Sequence, residues 1–214
     1  GYSGDEGEGV VLAIVKDGKR VERAEVGETV DIVPNQTPFY GESGGQTGDS
    51  GKLTTLKGFQ GEVEDTSKPL GRLHVLRTKV TKGELSLNEP VHQTVDAERR
   101  DRVRANHSAT HLLHAALRHR LGTHVTQKGS LVAADYFRFD FSHPKALSRE
   151  EIEQVEADVN AQIRGNEVVN TRLMTPDEAI AAGAMALFGE KYGDEVRVLS
   201  MGRTTEADYS VELC

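Results

Sequence analysis

Short apolar runs alternate with turn residues over the first 95 positions, the pattern of β-strands joined by tight loops. Asp17 and Gly18 separate two of these runs, and an Asp-Gly pair supplies the positive φ angles that a two-residue hairpin requires. The predicted strands are Val10–Lys16, Lys19–Glu25, Thr29–Val33, Gly51–Lys57, Gln60–Glu64, Leu73–Lys79 and Pro90–Val95. Their spacing predicts a small β-barrel.

After residue 95 the apolar spacing changes to that of a helix, and helices and strands then mix. Asp96 is a suitable N-cap for a helix that runs through Arg118 or beyond, and Gly122 is a suitable residue just past its end. Ser148 and Glu151 have the spacing of a capping box. The remaining predictions are helices over Arg149–Gly165 and from Thr175 to about Ala182, and strands over Gly129–Val132, Tyr136–Phe141, Val168–Leu173, Val196–Met201 and Tyr209–Cys214.

These elements predict an α+β fold with two parts. Residues 1–95 form a small β-barrel, and residues 96–214 form an α/β two-layer sandwich. With 36% hydrophobic and 28% charged residues, the 214-residue chain is long enough for one large or two small cores. We therefore expect a soluble globular protein.

The sequence contains no sign of export or membrane insertion. No apolar run approaches the length of a membrane-spanning helix, and the first ten residues lack the basic and apolar regions of a signal peptide. A single cysteine cannot form an internal disulfide, which suits a reducing compartment. We expect a cytoplasmic protein with no membrane partner.

The segment Asn106–Leu113 places His107 and His111 one helical turn apart. Residues at this spacing share a helix face, so the two imidazoles can converge on Zn²⁺, and Cys214 is a possible third ligand. Two ordinary histidines on a half-buried helix would give the same spacing, and both interpretations stay open. Ser108 replaces the glutamate of the HExxH peptidase motif, and the HxE and PCxxC signatures of zinc deaminases are absent, which argues against both enzyme classes.

The charge is unevenly distributed along the chain. The formal net charge is -8, yet the segment between Ala97 and Lys128 has seven basic against two acidic residues, a local balance of +5. Such a patch can hold phosphates while the acidic remainder limits non-specific RNA binding; the alternative is a solvated helix face. The seven basic residues are Arg99, Arg100, Arg102, Arg104, Arg118, Arg120 and Lys128.

A glycine-rich segment, Gly41–Gly51, lies between two predicted strands. No helix is predicted after it and no GK[ST] is present, so a nucleotide-binding P-loop is not indicated. Gly44 and Gly45 allow positive φ angles and a close approach of the backbone, either to another strand or to a ligand.

Four phrases occur in a characteristic order: TPFYGESGGQTGDSG (Thr37–Gly51), RRDRVRANHSATHLLHAALRHRLGTHVTQKGSLV (Arg99–Val132), ALFGEKYGDEVRV (Ala186–Val198) and SVELC (Ser210–Cys214). Together they resemble the editing region of alanyl-tRNA synthetase, to which freestanding alanyl-tRNA editing proteins are related. The resemblance covers nearly the whole chain. It implies the same barrel and two-layer sandwich, the second of which would be the editing domain.

The resemblance also implies a set of site residues. The family's zinc ligands fall on His107, His111 and Cys214, and a fourth, the histidine of a GGTH segment after the cysteine, is absent here. Together with the lack of an initiator methionine, this suggests an excised piece of a longer protein. The polar side chains expected near the substrate are Thr110 and Gln127, with Gln46 and the Gly44–Gly45 backbone across the cleft. From the basic patch, Arg102, Arg104 and Lys128 are assigned to the tRNA.

The implied activity is proofreading hydrolysis of tRNA(Ala) wrongly charged with serine or glycine. No ATP or DNA binding is expected, and a ligase site would lie outside these residues. With three protein ligands the zinc has an open, catalytic position, whereas with a fourth it is closed; a bound water is the expected nucleophile, ahead of Cys214. His114 and His124 are interpreted as structural. A freestanding trans-editing deacylase and a non-catalytic tRNA-docking module remain alternatives.

Overall fold

The computed structural model describes residues 4–184, 194–205 and 207–213. The chain divides into two compact units. The first comprises residues 1–104 and 131–136, and the second comprises residues 105–130 and 137–214. The division into residues 1–95 and 96–214 stays a prediction.

A closed antiparallel β-barrel forms most of the first unit. The nine strands up to residue 95 are β1 (Glu6–Lys16), β2 (Lys19–Val21), β3 (Arg23–Glu25), β4 (Thr29–Pro34), β5 (Gly51–Thr54), β6 (Gln60–Ser67), β7 (Val75–Lys82), β8 (Glu84–Ser86) and β9 (Pro90–Val95). Six of them form the barrel in the order β1-β4-β7-β6-β5-β9, and β9 pairs with β1 to close the sheet. The predicted barrel is therefore confirmed.

Every second side chain of the barrel strands points into the barrel interior and fills it. In β4 and β9 every second side chain is buried, as expected where one face of a strand meets the core. Burial of each large aliphatic or aromatic side chain stabilises the fold by about 1.5–3 kcal/mol. Large side chains that are fully buried in this core include Phe39, Phe59, Ile14, Ile32, Leu53, Leu76 and Leu85.

The hairpin at Asp17 and Gly18 is confirmed, with φ angles of 49° and 75°. The single strand predicted over Lys19–Glu25 is wrong, however. Its first half, β2, pairs with β1, whereas its second half, β3, pairs with β8 in a separate ribbon. The local pattern marks both halves as extended but cannot specify a partner about 60 residues away in the sequence.

Two other predicted strands differ in their limits. The strand predicted over Gly51–Lys57 ends at Thr54, because the chain turns there: the Gly58 N–H donates to the Thr55 carbonyl oxygen over 3.1 Å, and Gly58 has a φ of 95°. The strand predicted over Leu73–Lys79 begins at Val75 and continues to Lys82.

Helix α1 (Ala97–Leu121) begins in the first unit and continues into the second. The predicted N-cap is confirmed: the Arg99 N–H donates to Asp96 Oδ1 over 3.0 Å. The helix ends at the predicted glycine, Gly122, which has a φ of 115° and donates its N–H to the Arg118 carbonyl oxygen.

The second unit contains two further helices and most of five strands. Helix α2 has the predicted bounds, and both hydrogen bonds of its Ser148–Glu151 capping box are present. A second capping box, Thr175–Glu178, starts α3. The elements are β10 (Gln127–Val132), β11 (Phe137–Phe141), α2 (Arg149–Gly165), β12 (Asn170–Met174), α3 (Pro176–Ala181), β13 (Val196–Arg203) and β14 (Asp208–Leu213).

In the core of the second unit, helices pack against a β-sheet. Strands β12, β13 and β14 form an antiparallel sheet, and β10 pairs with β11. Residues from α1, α2, β13 and β14 share one buried cluster, including Leu112, Ala116, Val155, Met201 and Tyr209. The α+β class is confirmed, and the two-layer sandwich stays a prediction. In the described part of the chain, no helix is long and apolar enough to span a membrane.

Arg100, in the first turn of α1, is buried in the first unit rather than exposed. Its guanidinium lies 2.5 Å from Asp49 Oδ2 and donates to the carbonyl oxygens of Pro38 and Gly4 and to Asp5 Oδ1 over 2.6–2.9 Å. Only 3% of Arg100 and 2% of Asp49 are exposed. Placing Arg100 in the basic patch was therefore wrong, because its donors are used inside the protein.

We predict that Arg100→Met destabilises the protein by about 3–5 kcal/mol, because it leaves the buried Asp49 carboxylate without its charge partner. Arg102→Met is the matched control. Its ion pair with Glu98 is exposed and 3.5 Å long, so its loss should change the free energy of unfolding by less than about 1 kcal/mol. Urea denaturation of both variants checks this; equal losses would contradict a structural role for the buried pair.

Candidate functional site

A polar stripe on α1 enters the interior of the second unit. Thr110, His111 and His114 are buried, and His107 is half-buried. The rings of His107 and His111 are stacked, with centroids 5.0 Å apart and an interplanar angle of 18°. The helix therefore places these two imidazoles side by side, as their spacing of four residues predicted.

Glu212 on β14 contacts this stripe. One carboxylate oxygen, Oε2, lies 2.6 Å from His111 Nδ1, and the other, Oε1, lies 3.0 Å from His114 Nδ1. The second contact has ion-pair distance without hydrogen-bond alignment. The Ser210 hydroxyl, two residues earlier on the strand, donates to Oε1 over 3.4 Å. A strand whose side chains are mostly buried thus brings one acidic group to two histidines.

The electrostatics of this cluster favour a carboxylate. Burial alone would raise the pKa of Glu212, because the charged form loses its hydration. The hydrogen bond with His111, the close contact with His114 and the electrostatic attraction of the two rings outweigh that effect and lower the pKa of Glu212 to about 2. Glu212 is therefore ionised at neutral pH although only 6% of the residue is exposed.

The histidine nitrogens of α1 are of the kind that binds Zn²⁺. A neutral imidazole that donates through Nδ1 has its lone pair on Nε2, the form in which histidine binds a metal, and a carboxylate behind the ligand is a common partner. Within the described residues, no three His, Cys, Asp or Glu side chains are grouped as ligands. The third predicted ligand, Cys214, lies outside the described residues. The full ligand set His107, His111 and Cys214 therefore stays a prediction.

Thr110 and Gln127, the side chains predicted to meet the substrate, both lie in the second unit. The Thr110 hydroxyl donates to the Asn106 carbonyl oxygen over 2.8 Å, one turn back on the helix. The side-chain amide of Gln127, at the start of β10, donates to Ser130 Oγ over 3.4 Å. Because the Thr110 hydrogen is already used, the oxygen is left to accept a hydrogen bond.

The glycine-rich loop belongs to the first unit and connects β4 to β5. Gly44 and Gly45 have φ angles of 58° and 84°, which confirms the predicted positive values. Next to them, the backbones of Gln46 and Val132 form a parallel bridge: the Thr47 N–H donates to the Val132 carbonyl oxygen, and the Val132 N–H donates to that of Gly45. Gln46 is half-buried.

The backbone of Gly45 approaches strand β10 closely, as predicted, whereas Gly44 lies in open space. A Cβ added at Gly44 would have no atom within 4 Å, whereas one added at Gly48 would lie 1.9 Å from the Thr66 carbonyl oxygen. Gly48 is held from its other side as well, because Arg99 Nη1 donates to its carbonyl oxygen over 2.8 Å. Gly48 is therefore a position of this loop at which a side chain has no space.

The remaining residues of the basic patch serve different purposes. Arg118 donates to the carbonyl oxygens of Thr123 and Val125, and Arg120 forms two hydrogen bonds with Asp158 on α2. These arginines stabilise the second unit.

The three patch residues assigned to the tRNA are exposed: Arg102, Arg104 and Lys128. Arg102 and Arg104 also form exposed ion pairs with Glu98 and Asp101. Their contact with tRNA stays a prediction.

His124, interpreted as structural, is paired with another histidine. Its Nε2 lies 2.9 Å from His143 Nδ1, and the two rings are stacked with centroids 5.1 Å apart. This pair lies on the connection that precedes β10 and on the one that follows β11, and it supports the local structure.

Sequence reasoning missed Glu212 and took His114 as merely structural. The phrase SVELC shows a strand, and alternation would allow its glutamate to face solvent. The available signal was that an acidic residue between Val211 and Leu213 must have a partner if it is buried. Two histidines of α1 could have been named as candidates, but a separation of 101 residues along the chain hides that contact.

Comparison with known proteins agrees with the resemblance described above. The family model for class II tRNA synthetases (A) matches residues 1–99. Over its whole length the chain is 68% identical to the alanine–tRNA ligase of Sphingopyxis alaskensis, 65% identical to that of Rhizorhabdus wittichii and 58% identical to that of Chelativorans sp.. It covers 24%, 25% and 25% of these relatives, respectively, so it spans about a quarter of their length.

We predict that Gly48→Ala destabilises the protein by more than about 2 kcal/mol, because its Cβ has no space beside the Thr66 backbone. Gly44→Ala is the control, since it adds only the strain of a positive φ, about 1–2 kcal/mol. The denaturant concentrations at the unfolding midpoints of the two variants show which one is less stable. A Gly48→Ala variant that is as stable as Gly44→Ala would show that the loop gives way easily.

Proposed function

We propose that this chain, which is similar along its full length to alanine–tRNA ligases, removes serine or glycine wrongly attached to tRNA(Ala). The second unit would be the two-layer editing domain. The observation that carries the proposal is the buried cluster of His111, His114 and Glu212, beside Thr110, in a chain whose whole length is similar to about a quarter of those ligases. Such a cluster places polar side chains at buried positions, where a helix with a purely structural role would have apolar ones.

A synthetase for alanine has a physical need for such a step. A pocket that accepts alanine cannot strongly exclude glycine, which is smaller, or serine, which adds one hydroxyl. Differences of about 1–3 kcal/mol leave errors that a second, hydrolytic site corrects. The reacting bond is the ester between the amino acid and the 3′ ribose, and water is the second reactant.

Zinc would be held by His107, His111 and Cys214. When bound, it supplies Lewis acidity and orients the aminoacyl ester or a water molecule. The protein's own contribution is the stacked imidazole pair on α1, with Glu212 behind His111.

Thr110 would recognise serine. Because its hydroxyl donates to the Asn106 carbonyl oxygen, it is an acceptor toward the substrate, and the serine hydroxyl is a matching donor. Gln127 would add an amide that can either donate or accept. From the first unit, Gln46 and the Gly44–Gly45 backbone are proposed as further substrate contacts.

The phosphates of the tRNA acceptor end would be bound by Arg102, Arg104 and Lys128. These exposed cations lie on a protein with a net charge of -8, so the acidic remainder would limit non-specific binding of RNA. The single cysteine suits a reducing compartment, and we place the activity in the cytoplasm.

Single-turnover deacylation tests the proposal. We expect the chain, assayed alone and with the family's Gly-Gly-Thr-His segment added after Cys214, to hydrolyse seryl- and glycyl-tRNA(Ala) and to spare alanyl-tRNA(Ala). His111→Gln should abolish hydrolysis without preventing tRNA binding. Binding with no hydrolysis by either form would favour the docking module instead, and equal hydrolysis of alanyl-tRNA would contradict proofreading.

We predict that combining Arg102→Gln with Lys128→Gln weakens tRNA binding and reduces its salt dependence. Each lost phosphate contact should lower the slope of log K against log salt by about 0.7–0.9. Lys145→Gln combined with Arg149→Gln is the control, because both residues are exposed and also have acidic partners. A titration with the same slope for wild type and both variants would mean that the patch is solvated surface.

We predict that Thr110→Val reduces hydrolysis of seryl-tRNA by an amount equivalent to about 1–3 kcal/mol, because valine keeps the shape but removes the acceptor. Hydrolysis of glycyl-tRNA should change less, since glycine has no hydroxyl. Thr110→Ser retains the hydroxyl and serves as the control. Equal losses on both substrates in a single-turnover assay would assign Thr110 to the scaffold or to general catalysis.

A further inference from the structure

His124 and His143 are two imidazoles of the second unit that have no role in the proposed hydrolysis. Nε2 of His124 lies 2.9 Å from Nδ1 of His143, and their ring planes differ by 23°. His124 is exposed, whereas His143 is half-buried and has its Nε2 enclosed by the protein. The inner ring therefore supports the outer one, and the outer ring is the one that a ligand can reach.

The protein holds the ring of His124 by both of its nitrogen edges. Nε2 contacts His143, and a Cβ added at Gly122 would lie 3.0 Å from Nδ1. The backbone is held as well: the Ser142 hydroxyl donates to the carbonyl oxygen of His124 over 3.0 Å, and Arg118 donates to the carbonyl oxygens of the two neighbouring residues over 2.7 Å. Because its nitrogen edges are covered, this exposed side chain offers a ring face to solvent.

A fixed and exposed aromatic face suits a nucleobase. Unpaired bases stack on aromatic side chains, including histidine, and every base has a flat π face. A ring that is already held in place loses little conformational freedom when the base arrives. We propose that His124 is the stacking platform for the last base of the unpaired 3′ end of the tRNA. This contact needs no charge, so it adds to the phosphate contacts assigned to Arg102, Arg104 and Lys128.

The place of His124 in the sequence favours the last base over the others. Gln127 is three residues later, so the Cα atoms of these two residues are at most about 11 Å apart. The proposed function, on which this inference rests, assigns Gln127 to the aminoacyl group. That group is esterified to the ribose of the last nucleotide, so the base of the same nucleotide is the one nearest to it.

A structural role of the histidine pair and a stacking role of His124 make opposite predictions for two variants. His124→Gln can keep a hydrogen bond to His143 through its amide, but it has no aromatic ring. His124→Phe keeps an aromatic face, but it cannot form that hydrogen bond. Stacking therefore requires that the phenylalanine variant retain binding of the base and that the glutamine variant lose it.

The first test measures the affinity of the chain for uncharged tRNA(Ala) in two forms, one intact and one whose last nucleotide lacks its base. We expect the wild-type protein to bind the intact tRNA about 5–100-fold more tightly, the usual effect of one stacked base. His124→Gln should lose most of this preference by weakening only the binding of intact tRNA, whereas His124→Phe should keep most of it. His119→Ala is the matched control, because it removes another exposed imidazole of the second unit and should leave the preference unchanged.

The second test repeats these titrations at several salt concentrations, because an imidazolium could contact a phosphate instead of a base. Stacking predicts that His124→Gln leaves the slope of log K against log salt unchanged. A lost phosphate contact would lower that slope by about 0.7–0.9 and would overturn the stacking role. Where His124→Gln does not fold, as judged by its thermal unfolding, His124→Ala removes the ring and takes its place.

The outcomes separate the stacking platform from the proposed function. Equal binding of the two tRNAs by the wild-type protein would overturn the platform, even if seryl-tRNA is hydrolysed. So would a preference that survives in His124→Gln, or one that is lost as fully in His124→Phe or in His119→Ala. A preference for the intact tRNA with the expected variant pattern, but without deacylation, would instead refute the editing proposal and leave the role of His124 in place.

Discussion

A charge inside a protein must have a partner, and this constraint shapes both units of the chain. In the barrel unit, Arg100 gathers Asp49, Asp5 and two backbone carbonyl oxygens around one guanidinium. Five donors in a rigid fork need several acceptors, so the start of α1, the N-terminal strand region and the glycine-rich loop are held together. The position of the glycine-rich loop therefore depends on Arg100 of α1 as well as on the turns of the loop itself.

The same constraint has a chemical result in the second unit. Glu212 is buried, and its carboxylate is stabilised by His111 and His114. The need to pair a buried charge therefore brings one carboxylate to two imidazoles of the candidate site.

Helix α1 supports both the core and the candidate site. Leu112, Ala116 and Leu117 pack in the apolar cluster, while Thr110 and His111 occupy neighbouring positions on the same helix. With 3.6 residues per turn, the apolar and polar stripes lie next to each other. The polar stripe is stable in the interior because β14 offers Ser210 and Glu212 at alternate positions, and the helix backbone accepts the Thr110 hydroxyl.

Local chemistry made several elements predictable from the sequence. The capping box at Ser148 and Glu151 defined α2, Asp17 and Gly18 defined the first hairpin, and evenly spaced strands indicated the barrel. The HxxxH spacing correctly placed two imidazoles side by side. Such signals act over a few residues, so the sequence contains them directly.

Only the tertiary structure decided which distant residues meet. It separated β3 from β2 by pairing β3 with β8, it buried Arg100 against Asp49, and it brought Glu212 to His111 across 101 residues. Each outcome depends on competition among many possible partners for burial and hydrogen bonds, which no local pattern specifies. The sequence by itself determined which residue types could do chemistry here, and the packing of strands and helices decided which of them could do it together.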